Sequence, residues 1–273
     1  MKTSSRTRSG EGEALGGIYW DDVAEKAGLL YADNPFFKYK KREILRLVNS
    51  WGQGLLDKRI LKTDLYEESL GFDDILFDLA RNNDNVFGID ISPKIVAMAE
   101  KRAKALNIKL RLLEQDVKKI DFQDESFDLI ISNSTLDHFP GIRDALSELH
   151  RVLKKRGVLI LTLHNKSNLI LYLLCSIMRG LNRYHNFYVE GSYSLVETER
   201  LARGIGFKVL ESDTIIHIPP LFPTMINLFY KSNIRIIKYL LNQTVRLFES
   251  IGKKKYFINH FTGYLIAIKA VKE

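Results

Sequence analysis

Several shortages narrow the reading before any motif does. The chain has one cysteine, Cys175, which excludes an internal disulfide. Inside an apolar run, it reads as a buried thiol of a reducing compartment. With six histidines and no HExxH or CxxC spacing, a zinc cluster is excluded and no metal is expected. The N-terminal MKTSSRTRSGEGE is polar throughout and so is not a signal peptide. The longest apolar run, LILYLLCSIM from Leu169 to Met178, is half of the roughly 20 residues that a membrane span needs. These shortages together point to a cytoplasmic protein.

What remains is ample for a core: 273 residues, of which 45% are hydrophobic and 27% charged. The net charge of +8 is uneven. Residues 1–60 carry 11 basic and 8 acidic side chains, residues 61–160 carry 15 and 18, and residues 161–273 carry 15 and 7. A basic final third beside a mildly acidic middle suggests different partners for each.

From Arg59 onward, short β-rich runs alternate with helical ones. RILK, NVFGID, IKLRLLEQD, FDLIISN and GVLILTLH read as strands. Between them come DDILFDLARN, with Asp73 as its cap, and SPKIVAMAEKRAKALN, opened by Ser92 as N-cap and Pro93 at the first helical position. IRDALSELHRVL is amphipathic, with apolar residues at 142, 146, 149, 152 and 153. Such alternation implies a doubly wound, mostly parallel sheet. After His164 come an apolar helical stretch (168–181), an aromatic loop, a helix over SLVETERLARGIG and a strand ending at Pro219 and Pro220. A mostly helical segment (221–255) and the strand GYLIAIKAV follow. We divide the chain into a loose tail (1–17), an N-terminal helical segment (18–58), a nucleotide-binding core (59–166) and the rest of the sheet with a helical cap (167–273).

Ligands of such sheets bind beyond the carboxyl ends of the strands. Asp90 ends the second strand, where a carboxylate can accept both hydroxyls of a ribose, or act simply as a charge at a helix start. Ile91 offers an apolar face for a base. Asp116 ends the third strand and can accept from an exocyclic amine while the Val117 amide donates to a ring nitrogen; its plain alternative is a solvated turn. After the fourth strand, SNSTLDHF supplies Asn133, Ser134, Asp137 and His138. His138 is a candidate general base, or a histidine that caps or packs a helix start.

The order GIDIS, QDVKKIDF, SFDLIISNSTLDHF and ALSELHRVLKKRGVLILT resembles the class I S-adenosylmethionine-dependent methyltransferases. The likeness covers about residues 18–215 plus the terminal strand and is strongest from Val86 to Thr162. It implies a seven-stranded sheet with an antiparallel final strand, S-adenosylmethionine as cofactor, Asp90 on its ribose and Asp116 near its adenine. Asn133 and Ser134 would then lie near the sulfonium. One stretch departs from the family. Where a glycine-rich turn is usual, LKTDLYEESLGFDDIL (61–76) holds one glycine, Gly71, which does not correspond to a family loop glycine.

Side chains could replace the missing backbone contacts. Asp64 can pair with the methionine ammonium, with the Thr63 hydroxyl beside it. Lys62, or the basic and aromatic FFKYKKR (36–42), can meet the carboxylate. Behind the core, NLILYLLCSIMRGL and IRIIKYLLNQTVRLFESIGKKK lie where this family places insertions over the acceptor. In the second, Ile236, Ile237, Leu240, Leu241, Val245 and Phe248 share one side. Such a helix packs as a lid or lies on an anionic membrane. The expectation is methyl transfer to a small, hydrophobic or lipid-like molecule, with membrane contact as a further option. An RNA or protein acceptor, and a non-catalytic binding module, remain as alternatives.

Overall fold

The computed structural model describes residues 17–21, 24, 34–168, 191–219, 222–230, 234–254 and 259–273. Helix α1 (Pro35–Trp51) starts at Asn34, whose side chain accepts the Phe36 N–H. The sheet contains β1 (Ile60–Lys62), β2 (Val86–Asp90), β3 (Arg111–Glu114), β4 (Phe127–Asn133), β5 (Leu153–His164), β6 (Phe207–Ile215) and β7 (Leu265–Lys272). Between the strands run α2 (Tyr66–Leu70), α3 (Ile75–Ala80), α4 (Pro93–Ala105), α5 (Ile142–Val152) and α6 (Leu195–Ile205). The last three helices are α7 (Phe222–Tyr230), α8 (Arg235–Gly252) and α9 (Asn259–Thr262).

The strand order is β3-β2-β1-β4-β5-β7-β6. The pairs from β3 to β5 are parallel, and β7 runs antiparallel between β5 and β6. This is the seven-stranded doubly wound sheet expected. From β1 the chain first builds outward through β2 and β3, then returns to place β4 on the other flank. The carboxyl ends of β1 and β4 therefore border the switch point, where such sheets open a crevice.

Strand alternation divides the apolar residues between two faces. Ile60, Val86, Leu129, Ile131 and Ile160 pack under α1, α3 and α4; Leu61, Phe87, Ile89, Ile130 and Leu161 pack under α5 and α6. Ser92 caps α4 by accepting the Ile95 N–H, as read from the sequence. Asp73 does not cap α3, since the residue before that helix is Asp74. The Asp73 carboxyl instead accepts the Ile75 N–H within the turn.

The second insertion forms α7 and α8. Ile226, Leu241, Val245 and Phe248 join the core beside α1, and Arg42 of α1 pairs with Glu249 of α8. The single apolar side expected of α8 divides, because Ile236 and Leu240 stand in solvent. The expected helix at 168–181, Cys175 and the aromatics Tyr184, Phe187 and Tyr188 lie largely or wholly outside the described residues. Among the described residues, no helix is long and apolar enough to cross a membrane.

Candidate active site

The turn after β1 is built around a buried lysine. Lys62 ends the strand with its side chain wholly enclosed. Its ammonium donates to the Asp64 carbonyl (2.9 Å), Asp64 Oδ1 (3.0 Å) and Glu68 Oε2 (2.9 Å), so all three donors are used inside the chain. Burial alone would lower its pKa, but Asp64 and Glu68, then Glu67 and Asp73, raise it well above the ordinary value. Lys40 of α1 pairs with Glu67 at 2.5 Å, and Glu68 Oε1 accepts the Leu76 N–H.

Burial and neighbouring charge shift the carboxyls of this cluster in different directions. Burial pushes Asp64 well above the carboxylate range despite Lys62, with the neighbouring Glu67 adding to the shift. Burial and the charges of Glu67 and Glu68 push Asp73 up to about 8. Glu67 itself falls below its ordinary value, because Lys40 and Lys62 outweigh its burial.

Leu65 fixes the turn against β2. Its side chain is fully buried over Gly88 of β2, where an added Cβ would stand 2.6 Å from a Leu65 methyl. Its N–H donates to Asp90 Oδ2 at 2.9 Å. A close approach at Gly88 thus anchors the turn while the loop carries side chains. Gly71 has a different task, ending α2 in the left-handed region (φ 80°) with Arg102 packed against it.

The structure brings most of the sequence-predicted residues to one edge. Asp90, at the end of β2, accepts the Leu65 and Ser92 N–H groups, one on each oxygen. Burial raises it to about 6 against the pull of those two bonds. The Thr63 hydroxyl reaches Ser132 (3.0 Å), and Asp64 Oδ2 accepts from Thr135 (3.0 Å), so both span the β1–β4 switch point. Asn133 Oδ1 accepts from Thr162 while its buried Nδ2 has no hydrogen-bond partner. Ser134 follows in the left-handed region (φ 53°), which is uncommon for a residue with a side chain. Asp116 lies beyond β3, beside Asp90. Its Oδ1 accepts the Lys118 N–H, and its buried Oδ2 has no hydrogen bond but lies 3.5 Å from the Lys118 ammonium. Ile91 is half-buried next to the helical residues 17–21, whose Asp21 meets Ser92 Oγ at 2.5 Å. Val117 is buried in the core.

Two expectations are corrected here. Lys62 does not stand ready for a ligand carboxylate, and Asp64 is not a free carboxylate for an ammonium. Each has taken the other as partner, because a buried ammonium and a nearby carboxyl are costly apart.

His138 is not poised near neutral pH: burial pushes it down to about 4, so it is neutral at pH 7 and a weak proton acceptor. Its ring lies 5.4 Å from that of His164 and 5.6 Å from that of Trp20. His164, at the end of β5, was missed. Asp137 Oδ2 receives both its backbone N–H (2.6 Å) and its Nδ1 (2.7 Å). Burial pushes Asp137 up, but the charge and hydrogen bonds of His164 outweigh it and hold the carboxyl below its usual range.

Comparison with known proteins gives this geometry its family. A methyltransferase-domain family model matches residues 69–161. That match spans about a third of the chain and, with the fold, supports a class I S-adenosylmethionine-dependent methyltransferase. The match begins at Ser69, which leaves β1 and the lysine-centred turn of this methyltransferase outside it. An uncharacterised protein of Methanocaldococcus jannaschii is 26% identical over 69% of this chain and 70% of its own length. A demethylmenaquinone methyltransferase of Thermus thermophilus is 35% identical over 28% of this chain, and this chain spans 34% of that relative. In fold, the methyltransferase is similar to geranyl diphosphate C-methyltransferase from Streptomyces coelicolor, with a TM-score of 0.58 and 14% identity over 86% of this chain and 79% of that one.

Polar side chains able to meet a nucleoside stand along this edge, at Asp90, Asp116 and Asn133. Three buried polar atoms without hydrogen bonds are Asn133 Nδ2 at the end of β4, Asp137 Oδ1 beyond it and Asp116 Oδ2 beyond β3. Buried polar groups are rarely left so unless something else meets them. Sequence reasoning could have found His164 by weighing the last residue of the fifth strand as it did the others. Glu68 gave no such signal, since a helical glutamate ordinarily faces water.

Proposed function

We propose that this methyltransferase moves a methyl group from S-adenosylmethionine to a small acceptor of apolar character. The observation that carries the reading is the convergence of Asp90, Asp116 and Asn133 on the edge beside the switch point, two of them with an unsatisfied buried atom. In this reading Asp90 accepts from the ribose hydroxyls and Asp116 from the adenine amine, while the Val117 N–H donates to the ring. Ile91 lies against the base, and Asn133 and Ser134 face the sulfonium. Thr63 keeps the ends of β1 and β4 together. When bound, the cofactor supplies an electrophilic methyl group on sulfur.

The chain's own tasks are to align the acceptor, exclude water and take a proton. Asp137 orients the His164 ring, and this imidazole accepts the proton of an oxygen or nitrogen nucleophile. His138 shapes the same corner. The small acceptor is supported by two similar proteins, which by name act on demethylmenaquinone and geranyl diphosphate.

A second reading, binding without transfer, is favoured by one observation: the Lys62 ammonium already sits on Asp64. Incubation with methyl-labelled S-adenosylmethionine separates the readings, using a panel of quinones, prenyl phosphates, phospholipids, peptides and total RNA. Label is expected in a small apolar molecule. Label in RNA or peptide alone would overturn the acceptor class, and no label with any member would favour the binding module.

A further inference from the structure

We infer that α7 and α8 form a docking surface for an anionic lipid bilayer. Among the described residues, fifteen large hydrophobic side chains are exposed, and nine of them fall within residues 225–251. At 100° per residue, the α8 residues that enter the core (Leu241, Val245 and Phe248) occupy one sector of the helix. Ile236, Leu240, Leu247 and Ile251 occupy another, about 120° around, and are 48–60% exposed. They form an aliphatic stripe of two pairs, Ile236 with Leu240 and Leu247 with Ile251, that the rest of the described chain leaves uncovered. Met225 and Leu228 of α7 are exposed as well, at 45% and 67%.

The charge beside the stripe identifies its occupant. The described residues 222–254 contain Arg235, Lys238, Arg246, Lys253 and Lys254 against one acidic residue, Glu249, whose carboxylate is paired with Arg42 and Lys253. On the helix, Arg235, Arg246 and Lys253 follow the solvent-side border of the stripe, with Tyr239 between them and the aliphatics. Aliphatic residues in the middle, a tyrosine at the margin and cations at the rim match the layers of a membrane surface: acyl chains, interface and phosphate headgroups. A protein partner with an apolar groove would match the stripe but leave Arg235 and Arg246 without a counterpart. The surface involves no residue of the active site, so the inference goes beyond methyl transfer.

Co-sedimentation of the full chain with phosphatidylcholine vesicles, with and without about 30% phosphatidylserine, tests it without cofactor or acceptor. The protein is expected to partition onto the anionic vesicles and to be released as salt rises. Leu240→Glu with Leu247→Glu should weaken partitioning at least about tenfold. Arg235→Gln with Arg246→Gln should weaken it about fivefold per charge. Both variants should keep the parent melting temperature and affinity for S-adenosylhomocysteine. No partitioning by the parent, or partitioning that neither variant alters, would overturn the inference. So would a concentration-dependent dimer abolished by Leu240→Glu, which would make the stripe a contact between two copies of this chain. Failure here leaves cofactor binding untouched, and the converse also holds.

Discussion

Lys62 and Glu68 form an ion pair 2.9 Å long in which neither side chain reaches solvent. A pair so enclosed contributes little against a well-packed apolar substitute, yet removing one partner leaves a charge with nowhere to go. Lys62→Met should therefore destabilise the fold by about 3–5 kcal/mol. Lys62→Met with Glu68→Gln should recover part of the loss. Denaturant unfolding of the two single variants and the double variant measures the coupling; strictly additive losses would mean that the pair acts independently.

The same cluster predicts a pH dependence. Asp73 is pushed up to about 8, so the folded chain holds a proton that the unfolded chain has released above about pH 4. A raised carboxyl contributes stability at low pH and loses it as pH climbs toward the folded value. Between about pH 5 and 8, the stability of the parent relative to Asp73→Asn should fall by up to about 1.4 kcal/mol per unit. Melting curves of both proteins across that range check it. A constant difference would place the proton elsewhere.

The sheet was legible because its signals are local. Alternation of strand and helix, the Ser92–Pro93 start of α4 and the nearly unbroken apolar run of β5 each specify an element without help from distant residues. Asp90 and Asp116 were legible as strand-end carboxylates. The turn after β1 was not. Lys62 and Asp64 read as groups waiting for a ligand, because nothing in the sequence says that a lysine at a strand end will be enclosed by Glu68, Glu67 and Asp73. That enclosure depends on Gly88, whose missing side chain lets Leu65 fold inward. The division of α8 into a packed and an exposed apolar sector also depends on where α1 lies, which periodicity alone does not fix.

Asp90 makes cofactor binding itself sensitive to pH. Burial raises it to about 6, and hydroxyl donors favour the ionised form. Affinity for S-adenosylhomocysteine should weaken as pH falls from about 7 to 5, by up to tenfold per unit below 6, with a proton released on binding near pH 6. Titrations in buffers of different ionisation heat detect the proton. Affinity that is flat across this range would remove Asp90 from the ribose.

The two histidines of the acceptor corner should behave differently. His164→Asn should lower kcat about a hundredfold or more with little change in KM. His138→Phe should cost far less, since burial already keeps His138 neutral. A reversed pattern would transfer the base role to His138.

The most direct measurement is calorimetric titration of the full chain with S-adenosylhomocysteine near pH 7.5, run in parallel on Asp90→Ala with its melting temperature as control. The lysine-centred turn is held to have replaced the glycine turn without loss of the cofactor site. One ligand per chain should therefore bind, and the variant should bind about ten- to a hundredfold more weakly. No binding by the parent, or equal binding by a folded Asp90→Ala, would contradict it.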